Sequence, residues 1–434
     1  MKAIFSLLLA GIIALPGIAQ VNTTNNRLGF DISTFPQNNT SYTYDSCMHA
    51  GGTLGITQVG IFQNWTAIET APNTYNFTIL DIADFYYPLS NMPVDLTITP
   101  IHTNNLEVPS DLSSTPFNSP VMISRFKKLL DSVRAHTPNL VLSSLVIGSE
   151  HDVYMGSNTA LWNEYKVFYD SVTAHAKTLW PGLKVATELT FNGLTTYNTQ
   201  AQLLNTNSDY IGVSHYPLNT DFTVKPPANI ANDLATIVGL YPTKPICFYQ
   251  FGYPSSATCN SSENMQKDFI TETFTAWDTY SSNIRMIDFT WLHDLSPADV
   301  AYYGTYYGIT NAAFLEFLRS LGFRQWNGNG SNKPAWNELG CQAMQRGFNT
   351  GNWNCPLTTI EEEAIANASF FPNPAQGKIL FNDHTSIKNI QLFNALGEQV
   401  LNGNYTSEMD ISAFKPGMYL LMIEGVKTQK LIIE

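Results

Sequence analysis

From Leu28 to about Trp353 the chain repeats one rhythm: a short apolar run rich in β-branched residues, a polar loop, then a longer stretch with apolar positions at helical spacing. The alternation predicts strands at 28–32, 57–62, 94–100 and 142–148, and again at 184–187, 210–214, 245–249 and 286–291. Between them, the helical period predicts helices that include 121–135, 161–179, 263–277 and 311–321. Eight strands alternating with helices over about 320 residues are the count and length of a (β/α)8 TIM barrel. A doubly wound open sheet is the rival, but no GxGxxG follows any of these strands. The fold expected over residues 24–356 is the barrel.

The rhythm changes near Glu361-Glu362-Glu363. Residues 357–364 read as a linker, and 365–434 as short alternating strands separated by turns, the pattern of a small all-β sandwich. At the other end Lys2 precedes an almost wholly apolar run from Phe5 to Ile18. Gly17-Ile18-Ala19 then offers small residues before Gln20, so residues 1–19 are expected to be a signal peptide. The run is shorter than the ~20 residues of a membrane span, and no later stretch is expected to cross a bilayer.

Composition narrows the partners. Charged residues are 13% of the 434, against about 25% in ordinary domains. With 22 Lys+Arg against 35 Asp+Glu the net charge is −13, which repels phosphates and excludes a nucleic-acid partner. The 21 Tyr, 25 Phe and 8 Trp exclude disorder for most of the chain. Such a balance suits an extracellular protein that handles neutral, hydroxyl-rich ligands. Of the five cysteines, the close pairs Cys247/Cys259 and Cys341/Cys355 are the natural disulfides of an exported chain, with Cys47 left over. No CxxC appears, and neither a metal nor a cofactor is expected.

In a barrel of this kind the working residues follow the C-terminal ends of the strands. Those positions hold Asp31, then Trp65 after Gln63 and Asn64, then His102, Glu150, His151 and Asp152. Further along they hold Glu188, His215, Tyr216, Gln250, Trp291, His293 and Asp294. Carboxylates, imidazoles and aromatics on one face suit a sugar ring, whose faces are apolar C–H and whose rim is hydroxyl. Plainer roles compete: Asp31 and Asp152 as turn or helix caps, Trp65 and Trp291 as core, Glu69 as a solvated group.

The tail carries Phe371-Pro372-Asn373-Pro374, Asn394-Ala395-Leu396-Gly397, Pro416-Gly417-Met418-Tyr419-Leu420 and Lys430. It resembles the C-terminal sorting domain of type IX secretion substrates. That resemblance implies recognition by the secretion machinery, passage through the periplasm, and release or attachment at the cell surface.

The barrel carries Ile147-Gly148-Ser149-Glu150, then Ser214-His215-Tyr216-Pro217, then Tyr249-Gln250-Phe251-Gly252-Tyr253-Pro254-Ser255, then Trp291-Leu292-His293-Asp294. In that order these motifs resemble glycoside hydrolase clan A, especially its galactanase-like and cellulase-like members. The resemblance implies Glu150 as acid/base, a β-linked polysaccharide as substrate or ligand, and a Glu nucleophile ending the seventh strand. Gln250 stands at that nucleophile position, and Ser149 stands where the family's Asn holds the sugar 2-hydroxyl. A neutral amide cannot form the glycosyl ester of retaining hydrolysis, which needs two carboxyls about 5–5.5 Å apart. Three routes around this are open from the sequence. The seventh strand could be misplaced. Glu188 or Asp294 could act as base toward water. Gln250 could orient a substrate 2-acetamido group. The alternative to an enzyme is a degenerate barrel that serves as a surface glycan-binding protein.

Overall fold

The computed structural model describes residues 20–32, 43–326, 330–351, 353, 355, 370–381, 388–405, 407–423 and 429–434. The expected signal peptide and linker lie outside the described residues. The chain divides into two compact units, Met1–Cys355 and Pro356–Glu434.

The first unit is a (β/α)8 barrel. Its strands are β1 (Arg27–Phe30), β2 (Val59–Asn64), β3 (Val94–His102), β4 (Leu142–Ser149), β5 (Val185–Thr190), β6 (Ile211–His215), β7 (Ile246–Phe251) and β8 (Ile284–Phe289). They pair in parallel in the order β1-β8-β7-β6-β5-β4-β3-β2. A single parallel bridge, Gly29 to Gln58, brings β1 back to the start of β2 and closes the ring.

The helices form where the sequence offers a cap and an apolar stripe. Ser119 accepts the N–H of Met122 ahead of helix Pro120–His136, which buries Met122, Phe126, Leu129, Leu130 and Val133 along one face. Asn158 caps Thr159–Leu179 and Ser262 caps Glu263–Thr279 in the same way. No described helix is long and apolar enough to cross a membrane.

The barrel lumen departs from the usual filling of branched aliphatics. Asp95, Thr97, Glu188, Tyr249 and Asp288 reach it, and Asp95 pairs with Arg27 and accepts from Ser144. Gly29 belongs to this arrangement. A Cβ there would lie 2.5 Å from Asp288 Oδ2, so only glycine leaves room for that carboxyl.

One of the two expected disulfides forms, Cys341–Cys355, with 5.3 Å between Cα atoms. The other does not: Cys247 and Cys259 are both free and buried, as is Cys47. Cys247 sits near the start of β7 against Arg27, whereas Cys259 lies beyond the strand's far end against the carbonyl of Ala313. Closeness in sequence is undone by an extended strand that carries the two thiols to different levels of the barrel.

The second unit has two antiparallel sheets. One pairs Phe370–Phe371, Lys378–Phe381 and Glu408–Asp410; the other runs Gln399–Tyr405, Lys388–Phe393, Gly417–Ile423, Gln429–Ile433 in spatial order. Phe370, Ile379 and Phe381 from the first share an apolar core with Ile390, Leu392, Leu421 and Leu431 from the second.

Candidate active site

A cleft of about 1060 Å³ opens over the C-terminal ends of the barrel strands. Glu150 enters it directly after β4. The turn that delivers it is tight: Gly148 has φ +86° and Glu150 φ +51°. A Cβ at Gly148 would lie 2.3 Å from the Tyr165 hydroxyl, so this position requires glycine. The Glu150 N–H donates to the Glu188 carbonyl at 2.9 Å, which ties the turn to β5. Its carboxylate accepts from Thr103 Oγ1 at 2.7 Å and from Ser214 Oγ at 2.5 Å.

Gln250, on β7, is wired on both sides of its amide. Its Nε2 donates to Ser149 Oγ at 3.1 Å and to Glu188 Oε2 at 3.2 Å, while its Oε1 accepts from the Tyr216 hydroxyl at 3.2 Å. Ser149 itself donates to Glu188 Oε2 at 2.7 Å. These contacts surround the side chain with groups that match an amide.

Glu188 is 1% exposed. Burial pushes its pKa up to about 8, the neighbouring Glu150 carboxylate adds to the rise, and the donors Ser149 and Gln250 oppose it. Deeper still, Asp288 is held well above the usual carboxylate range by burial and then by Asp31, Asp95 and Glu188. Burial thus disfavours the ionised forms of Glu188 and Asp288 beneath the cleft.

The remaining predicted residues fall into two groups. Asp31, His102, His215, Tyr216 and Trp291 line the cleft with Glu150, Glu188 and Gln250. His102 is lowered to about 4 by burial and hydrogen-bonds through its two ring nitrogens with the hydroxyls of Tyr306 (2.9 Å) and Tyr307 (3.3 Å). His215 is lowered by burial as well and meets Asp233 at 2.9 Å.

Trp65, His293 and Asp294 are not in the cleft. Trp65 is fully buried, donates to Glu69 at 2.9 Å and packs edge-on against Phe126. His293 is buried, and Asp294 is locked to Lys333 at 2.6 Å. Glu69, read from the sequence as solvated, is 1% exposed and pairs with Arg125. Asp152 does not simply cap its own turn; it accepts from the N–H and hydroxyl of Thr190 and braces the end of β5.

Sequence reasoning missed the helix Pro297–Tyr307. Its Tyr302, Tyr303, Tyr306 and Tyr307 all border the cleft. The signal was present as Tyr-Tyr pairs at i and i+4, one helical turn apart.

Residues 369–434 match the family model described as the secretion system C-terminal sorting domain. The tail is such a domain, which marks the chain for export to the cell surface or beyond. No curated protein matches the chain. Among solved structures, the chain is similar to GH5_18 from Bifidobacterium longum subsp. longum, crystallised with Manβ1-4GlcNAc. The identity is 12% and the TM-score 0.56, over 74% of this chain and 78% of that one. It is similar to the exo-β-1,4-mannosidase of Opitutaceae bacterium strain TAV5 at 14% identity and TM-score 0.57, over 77% of this chain and 62% of that one. A third is GH5_18 from Streptomyces cattleya in complex with GlcNAc, at 13% identity and TM-score 0.56, over 75% of this chain and 81% of that one. At these identities the likeness is one of fold: the first unit is a (β/α)8 barrel similar to theirs.

Proposed function

We propose that the protein is exported and that its barrel holds a neutral, β-linked glycan in the cleft without cleaving it by the ordinary retaining route. The observation that carries this reading is Gln250. Its amide donates to Ser149 and Glu188 and accepts from Tyr216, so an uncharged group fills the place where retaining chemistry needs an attacking carboxylate. Glu188 is a poor stand-in as base, since it is buried, its ionised form is disfavoured by that burial, and its Oε2 is taken up by Ser149 and Gln250. Asp294 is excluded by its pairing with Lys333 outside the cleft. Trp291, Tyr216 and His102 supply aromatic faces and polar edges suited to a pyranose.

A second reading is supported by Glu150, held in the cleft by Thr103 and Ser214. In it Glu150 protonates a leaving oxygen while the substrate's own 2-acetamido group attacks the anomeric carbon. Two of the structural neighbours were crystallised with ligands that contain GlcNAc, which makes Manβ1-4GlcNAc a good first probe. The domain plan proposed is a signal peptide at 1–19, the barrel at 24–356, a linker at 357–364 and the sorting domain at 365–434.

The test is a thermal-shift screen of the purified mature protein against β-linked oligosaccharides, with reducing-sugar release assayed in parallel. Stabilisation by a glycan, lost in Trp291→Ala, supports the reading. Turnover at ordinary glycosidase rates would overturn it.

A further inference from the structure

An aromatic strip leads outward from the cleft. Phe62, in the C-terminal half of β2, lies 4.6 Å from the His102 ring with 53° between planes. His102 lies 5.3 Å from the Tyr306 ring, and Tyr306 stacks on Tyr302 at 5.9 Å with 22° between planes. The inner members are pinned by polar contacts. The Tyr306 hydroxyl donates to Glu107 at 2.7 Å, and the side chains of Asn104 and Asn105 donate to the carbonyls of Tyr307 and Tyr306. These bonds dock the helix onto the loop after β3 and hold the strip rigid.

The two outer members are left open: Phe62 is 40% exposed and Tyr302 60%. A cleft rim on which a strand's Phe62 and a helix's Tyr302 keep their rings in water suits a partner with apolar flat faces. The strip also starts beside the chemistry, because Thr103, next to His102, donates to Glu150.

We propose that Phe62 and Tyr302 form outer sugar subsites that select an extended β-linked chain over a mono- or disaccharide. The proposal rests on the glycan reading above and deepens it by naming the size of the ligand. Exposed rings offer hydrophobic contact to the C–H faces of successive pyranoses, while His102 and Tyr306 between them offer polar edges to the hydroxyls. Nothing charged is needed for such a ligand, and none of these four side chains carries charge at neutral pH.

The experiment is a calorimetric titration of the full mature chain with a β-1,4-linked oligosaccharide series from two to six sugars. For the wild type, affinity rises with length. In the Phe62→Ala/Tyr302→Ala double variant the hexasaccharide-to-disaccharide affinity ratio falls about tenfold. Phe62→Trp and Tyr302→Phe, which keep an aromatic face, preserve the ratio. An unchanged ratio in the alanine variant, or an equal loss for short and long ligands, overturns the outer subsites and leaves the glycan reading standing. A wild type that binds no member of the series overturns that reading, and the subsites with it.

Discussion

Gln250 Nε2 lies 3.2 Å from Glu188 Oε2, so the amide at the expected nucleophile position donates to a buried acid instead of facing an anomeric carbon as an anion. The same Glu188 oxygen accepts from Ser149, at the position where the resemblance to clan A leads one to expect an Asn. The two departures visible in the sequence are thus one structural unit. An amide at Gln250 places no second charge beside the buried Glu188, and the Ser149 hydroxyl bonds to both.

Gln250→Glu therefore does more than restore a nucleophile. It sets a second carboxyl against Glu188, and two acids at that spacing share one proton. We expect a loss of about 1–3 kcal/mol from the two hydrogen bonds that the Gln250 amide no longer donates. Hydrolysis of an aryl β-glycoside is expected to rise from background, and to disappear again when Glu150→Gln is added. Thermal melts and a chromogenic assay on the two variants check both effects. Fast wild-type turnover that slows in Gln250→Glu would show that the amide has an active role.

Stability is expected to fall as the pH rises above about 6.5. The folded-state value of Glu188, about 8, lies above its ordinary 4.5, so the fold disfavours the ionised form. Its contribution is intact below about pH 4.5 and is lost as the pH climbs through about 8, a change on the order of 5 kcal/mol. Asp152, raised to about 7 chiefly by burial, acts in the same direction. The buried His102, His151 and His215, all lowered by burial, act in the opposite direction up to their ordinary 6.5, so the melting temperature should drop between pH 6.5 and pH 9, and Glu188→Gln should flatten that limb. A flat wild-type profile would contradict the protonated acid.

Thiol counting separates the two candidate disulfides. Unfolding without reductant is expected to expose three thiols, those of Cys47, Cys247 and Cys259. The Cys341–Cys355 bridge spans 14 residues, so Cys355→Ser should cost about 3 kcal/mol. Finding one thiol rather than three would mean that Cys247 and Cys259 do pair.

The tail predicts a localisation phenotype. Every residue of the barrel's apolar core lies at or before Trp353, so a chain ending at residue 355 should fold with an unchanged barrel melt. Lacking the sorting domain, it should accumulate in the periplasm, which fractionation and immunoblotting would show. Normal surface delivery of that truncation would contradict the role of the tail.

Much of this was legible in the sequence, for identifiable reasons. The eight strands are β-branched runs bounded by polar loops, and each falls within a few residues of its expected place. Glu150 and Gln250 could be positioned because they end two of those strands. What was not legible depends on side-chain direction and level. Trp65 also follows a strand, but its ring turns outward to Glu69 and Phe126. Cys247 and Cys259 are near in sequence and held apart by an extended strand. Asp288 sits mid-strand, where a charged residue is unexpected, and only the absence of a side chain at Gly29 makes room for it. The Ser149–Glu188–Gln250 network joins residues from three strands, and no local pattern announces such a contact.

The most direct test is a calorimetric titration of the wild-type mature protein with Manβ1-4GlcNAc and longer β-1,4-linked oligosaccharides, followed by mass analysis of the sugar recovered from the cell. The account predicts saturable binding with the ligand recovered intact. Recovery of cleaved sugar, released with retained anomeric configuration when proton NMR follows the reaction, would contradict it.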